Sequence, residues 1–142
     1  MAITQAMCTS FKVDILSGTQ NFNTGTTKVY KIALYTSSAT LDATTTSYST
    51  ANEVVGTGYT AGGNTLTVSQ IPTSGGTTSY ISFADTTWTS ATITARGALI
   101  YESTANKAVA VLDFGSDKSS SASNFTIQFP AATSTTAIIR IA

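Results

Sequence analysis

Two nearly unbroken apolar runs, Ile93 to Tyr101 and Ala108 to Phe114, stand out along the chain, separated by the polar stretch Glu102 to Lys107. Runs of this length bounded by turn residues suit strands covered on both faces. Ser103 to Asn106 has hairpin chemistry, because Asn tolerates a left-handed backbone. The pattern therefore predicts a central β-hairpin. Other stretches alternate with period two. Lys28 to Thr36 sets Tyr30, Ile32 and Leu34 against Val29, Lys31, Ala33 and Tyr35. Thr65 to Ile71 and Thr78 to Ala84 read the same way, with Pro72 ending the first of them. Asn124 to Phe129 turns Phe125, Ile127 and Phe129 inward, and Thr136 to Ala142 reads as a last strand.

Helical spacing occurs once, at the start. Ile3, Met7, Phe11 and Ile15 recur at i, i+4, Ala6 and Leu16 widen the stripe, and Gly18 stands where a C-cap belongs. Such a helix either closes the end of its own core or docks as an arm on a neighbouring subunit. Gln20 to Thr27 and Gly115 to Ser123 read as loops from their Asn, Gly and Ser content. Ser37 to Thr60 is polar without a sustained period. Within it, Tyr48 to Val55 fits one helical turn or a short edge strand equally well. About seven short strands with turn signals between them predict an all-β fold, an antiparallel β-sandwich or jelly-roll-like domain with one short N-terminal helix or arm. The expected organisation is a single domain over 1–142, with residues 1–18 as helix or arm and 28–142 as the β core.

Composition sharpens this picture at one point. Only 10% of the 142 residues are charged, against about 25% in an ordinary globular chain, while 42% are hydrophobic. Six Tyr, six Phe and one Trp argue against disorder, so the polarity is carried by Ser, Thr and Asn. A hydroxyl-rich, charge-poor surface suits strands, and it suits a surface that lies against another protein, since charges are costly to desolvate. Seven basic and seven acidic residues balance to zero, leaving no basic stripe to steer the chain to nucleic acid. The start lacks the basic and apolar regions of a secretory signal, and no apolar run is long enough to cross a bilayer. A lone cysteine, Cys8, forms no internal disulfide framework. Folding in a reducing cytoplasm is the expectation.

Chemistry is scarce. The chain has no histidine, which removes Ser-His-Asp and Cys-His arrangements and the usual zinc sites. Its acids, Asp14, Asp42, Glu53, Asp85, Glu102, Asp113 and Asp117, show no spacing that singles out a catalytic pair. Asp113 reads as an outward-facing strand residue beside Gly115, paired with Lys118. The letters DFG at 113–115 lack every other kinase element. Trp88 reads as a core plug or a rim-covering residue rather than a ligand platform, and Cys8 as a packed residue with nothing to activate it. The expectation is no enzyme, no cofactor and no metal.

Taken as a set, FKVDILSG, KIALYTSSATLDATTTSY, NEVVGTGYTAGG, FADTTW, TARGALIY, AVAVLDFG and the terminal AIIRIA resemble a family of small tailed-bacteriophage proteins encoded among virion genes. The resemblance spans nearly the whole chain. It implies a virion structural protein made in the host cytoplasm. Within that class the favoured expectation is a capsid cement or decoration protein on the shell exterior, with the major capsid protein as partner and a dimer or trimer as its own state. The contact would be Ala2 to Phe11 or the Ser37 to Thr60 loop, with Ile3, Met7, Phe11, Tyr48 and Glu53 as candidate residues. A tail component (tube, baseplate or fibre attachment) and a carbohydrate-binding module stacking sugars on Trp88 or tyrosines are the alternatives.

Overall fold

The computed structural model describes residues 2–142. In chain order the elements are β1 (Ala6–Met7), α1 (Thr9–Leu16), β2 (Tyr30–Tyr35), β3 (Asn64–Thr65), β4 (Val68–Gly75), β5 (Thr78–Phe83), β6 (Thr86–Glu102), β7 (Lys107–Ile127) and β8 (Ile139–Ile141). Two antiparallel sheets form, one in the order β1-β7-β6-β2-β3 and one in the order β4-β5-β8. The protein is an all-β sandwich with one short N-terminal helix, as the periodicity predicts.

The predicted central hairpin is present and much longer than its apolar part. Register runs from Glu102 opposite Lys107 at the turn to Thr86 opposite Ile127 at the far end. Asn106 takes the left-handed conformation at φ 52°. Near the turn both strands are covered on both faces, since Gly97 to Glu102 and Ala108 to Val111 are buried at every position, and β2 pairs along the β6 edge from Tyr30–Glu102 to Tyr35–Gly97. Farther out β7 is exposed, and this is where the sequence misleads. Gly115 to Ser123 is strand, not loop: Lys118, Ser119 and Ser120 pair with Ala95, Thr94 and Ile93. Solvent on the outer face removes the demand for apolar residues, and hydroxyls link the strands instead. Thr94 and Ser119 lie 2.9 Å apart, as do Thr87 and Thr126.

Three other expectations are corrected. Pro72 does not end its strand; β4 runs through it. Proline survives there because β4 is an edge strand and its ladder with β5 skips register between Gln70 and Thr73. The predicted Thr65 to Ile71 strand is divided, with Asn64 and Thr65 pairing in the first sheet and Val68 onward in the second. The helix is also shorter than its apolar stripe suggests. Ile3 bridges Leu41, Met7 pairs with Ala110, and helical geometry begins at Thr9. Thr4, Cys8 and Thr9 are weak helix formers, and their amides find carbonyl partners on Leu41, Val109 and Ala43. Gly18 does terminate the helix, at φ 76°.

Aromatic rings fill the space between the sheets. Phe22 stacks on Tyr30 at 4.4 Å and meets Phe11 and Phe83 edge-on at about 6 Å. Trp88 is buried, as expected of a core plug, edge-on to Phe125 at 6.1 Å. Cys8 is fully packed as well.

Candidate functional site

The residues predicted to touch a partner are mostly internal. Phe11 is 0% exposed, and Ile3 and Glu53 are buried too, while Met7 and Tyr48 are half-buried. Ala2 to Phe11 is therefore no detachable arm. Its amides hold β7 and the Leu41 and Ala43 segment, and its side chains enter the core. Removing it would open the fold rather than a docking contact.

Glu53 and Tyr48 do come together, in an inward-facing cluster. The Tyr48 hydroxyl donates to Glu53 Oε2 at 2.7 Å, the Tyr59 hydroxyl donates to Oε1 at 2.7 Å, and the Gly62 amide donates to Oε1 at 2.8 Å. Tyr48 stacks on Tyr101 at 4.7 Å, and the Tyr101 hydroxyl donates to the Gly62 carbonyl at 2.7 Å. Burial first, then the Glu53 carboxylate, pushes the Tyr48 and Tyr59 hydroxyls well above the ordinary phenol range. These hydroxyls stay protonated and act as fixed donors. The Tyr48 to Val55 stretch, left open between helix and strand, is neither; it is irregular backbone pinned through Glu53, which bridges Tyr35. Sequence reasoning took Glu53 for a surface acid because nothing in the spacing of Tyr48, Tyr59 and Gly62 shows that this loop folds back to enclose it.

Glu102, unremarked as a site, is the second enclosed carboxylate. It accepts hydrogen bonds from the amides of Val29, Thr104 and Ala105 and from the Thr104 hydroxyl at 2.6 Å. Burial pushes its pKa up, but the bonds from Thr104, Ala105 and Val29 outweigh burial and leave it below the ordinary value. It caps the hairpin turn and presents nothing to a ligand.

Asp113 pairs with Arg96 at 3.3 Å, not with Lys118. The Gly115 amide lowers its pKa most, desolvation opposes this, and Arg96 adds to the lowering. Burial pushes the Cys8 thiol up to about 11, so thiolate is scarce near neutral pH. Among the described residues no three His, Cys, Asp or Glu side chains converge as a metal site, and no helix is long and apolar enough to cross a membrane. Trp88 turns its ring into the core, with Tyr30, Tyr35 and Tyr101 also buried, so the sugar-stacking platform of the carbohydrate-binding alternative is closed at these residues.

What the molecule offers outward is surface. A shallow groove of about 600 Å³ follows the outer side of β7, between Leu112 and Phe129. Among the described residues β1 covers β7 only at Ala110 and Val111, so the outer backbone edge beyond them has no strand neighbour there. That edge is interrupted. Four residues of β7 lie between the Asp113–Gly97 and Lys118–Ala95 pairs, where β6 has one, and Gly115 and Ala122 have φ of 80° and 45°. Bulges of this kind break the regular array of amides and carbonyls that another strand would need. Comparison with known protein families, with curated proteins and with solved structures finds no match to the chain.

Proposed function

We propose that the protein is a structural component of a tailed-bacteriophage particle, and within it a capsid cement protein that binds the outside of the assembled shell. One observation carries the reading: from Gly115 to Asn124 the β7 strand is almost wholly exposed, built of Ser, Ala, Gly and Asn with Asp117 and Lys118 its only charges. Uncharged hydroxyls lose less on leaving water than carboxylates or ammonium groups do. Such a face is suited to lying against a neighbouring protein. The bulged edge adds to this, because it leaves the face available for docking while discouraging strand-to-strand polymerisation of a protein present in many copies. The likeness of the sequence to phage virion proteins points the same way. Cement action follows physically: many weak junction contacts on one shell act together through multivalency.

Electron microscopy of purified particles labelled with an antibody to this protein tests the reading. Label spread over the head is the expected result. Label confined to the tail would replace cement by a tail component, and particles without label would overturn a virion role altogether.

A further inference from the structure

Four of the six most exposed large hydrophobic side chains lie on one side of the molecule. Leu16 is 89% exposed and Ile141 47%, and both line a cleft of about 460 Å³ between α1 and β8, with Met7 and Ile15 at its floor. A second cleft, of about 220 Å³, shares Ile15 and Ile141 and continues to Pro72 and Tyr80. A third, of about 270 Å³, shares Phe22 with the second and carries the exposed Val29 and Ile71. The three form one apolar belt.

Charge along this belt is one-sided. Lys12 and Arg140 rim the first cleft and Lys28 the third, while no carboxylate lines any of the three. Among the described residues the ion pairs are Arg96–Asp113 and Lys107–Asp14, so the belt's three cations have no acidic partner. In a chain whose charges balance overall, this segregation is informative. An exposed apolar patch rimmed by polar groups marks an interaction surface, and unpartnered cations at its rim select the sign of what docks there.

We infer that the belt from α1 across β8 to β2 is the docking groove for an acidic, amphipathic segment of a partner protein, with apolar anchors entering the clefts beside Leu16 and Ile141 and carboxylates meeting Lys12, Arg140 and Lys28. This deepens the cement reading and rests on it only for who the partner is, the shell subunit. A concave belt favours side-chain anchors over a flat lipid surface. Three cations are also few for membrane attachment, which takes clusters of basic residues. Leu16 thereby takes the partner-facing role that the sequence assigned to Phe11 on the same helix.

The test uses the full chain and a synthetic amphipathic peptide with Leu at i, i+3 and i+4 flanked by Glu, beside a twin carrying Gln for every Glu. Binding is followed by fluorescence anisotropy of the labelled peptides. The Glu peptide is expected to bind, and the Gln twin about tenfold more weakly. Leu16→Asp and the pair Lys12→Glu with Arg140→Glu are expected to lose the Glu peptide while keeping the wild-type circular dichroism, since all three side chains are solvent-exposed. Equal binding of both peptides, no binding of either, or preferential binding to phosphatidylserine vesicles would overturn the inference. So would self-association of the wild type that Leu16→Asp abolishes, which would make the occupant a second copy. Particle labelling is read separately, so a failed groove and a failed virion role are told apart.

Discussion

The Tyr59 hydroxyl donates to the buried Glu53 carboxylate and at the same time accepts the amide of Leu34, in the middle of β2. A loop tyrosine thus supplies the hydrogen bond that β2 would otherwise take from another strand. The Val54 amide returns to the Leu34 carbonyl at 2.9 Å, so the loop serves as a substitute neighbour for the sheet. Tyr59→Phe should orphan the Leu34 amide and remove one donor from Glu53. The expected loss is about 2 kcal/mol, read as a lower urea midpoint with the slope unchanged. No change would mean that the loop does not complete the sheet.

Glu102 links folding to acidity. Its pKa is held below the usual 4.5 in the folded chain by donated hydrogen bonds. Its stabilisation is therefore full above the unfolded pKa and fades as pH falls through the lower folded value. Glu102→Gln should be less stable than wild type at pH 7, and the gap should narrow below about pH 4. Urea titrations at pH 7 and pH 3 give the comparison; a gap that stays constant with pH would show that the carboxylate charge contributes nothing.

Trp88 is the only tryptophan and it is buried against Tyr59 and Phe125. Its fluorescence should be blue-shifted in the native protein and move red in a single step on unfolding. Trp88→Ala should cost about 3–5 kcal/mol through lost burial and the cavity left behind. A red emission maximum in the native protein would place the ring in water and revive a ligand-platform role.

Gly63 has φ 75°, and a Cβ there would run into the backbone carbonyl of Ile32. Gly63→Ala should destabilise by more than about 1 kcal/mol, whereas Gly76→Ala, with open space around it, carries only the strain of its positive φ. Thermal melts of the two variants side by side should show the larger drop for Gly63. Equal drops would mean that backbone strain alone matters.

Legibility followed burial. The hairpin was readable near its turn because Gly97 to Tyr101 and Ala108 to Val111 are covered on both faces, so nearly every position there had to be apolar. The Ser-rich half of β7 was not, because a solvated strand linked by hydroxyls has the composition of a loop. Ile3 and Met7 fell at helical spacing by coincidence, and their pairing with residues about 40 to 100 positions away leaves no local trace. Glu53 and Glu102 were invisible as buried acids for another reason, since most of their partners are near them in sequence. Their donors are turn amides and tyrosines whose convergence exists only in the folded chain. The apolar belt escaped notice because Leu16 looked like one more core residue of an amphipathic helix.

The order in which this chain leaves the ribosome sets when it can fold. β1 and β2 find their strand partners on β7 and β6, which are made last but for β8. Roughly the first ninety residues therefore emerge with half of the main sheet unpaired, and only the β4–β5 hairpin and the short β2–β3 pairing can close early. Once the 102–107 turn is complete, β6 and β7 zip locally, and the waiting N-terminal segments have a surface to join. Until then Ile32, Leu34 and Tyr35 are exposed and prone to pair with other nascent chains. The chain is most vulnerable in that interval, before its own hairpin exists.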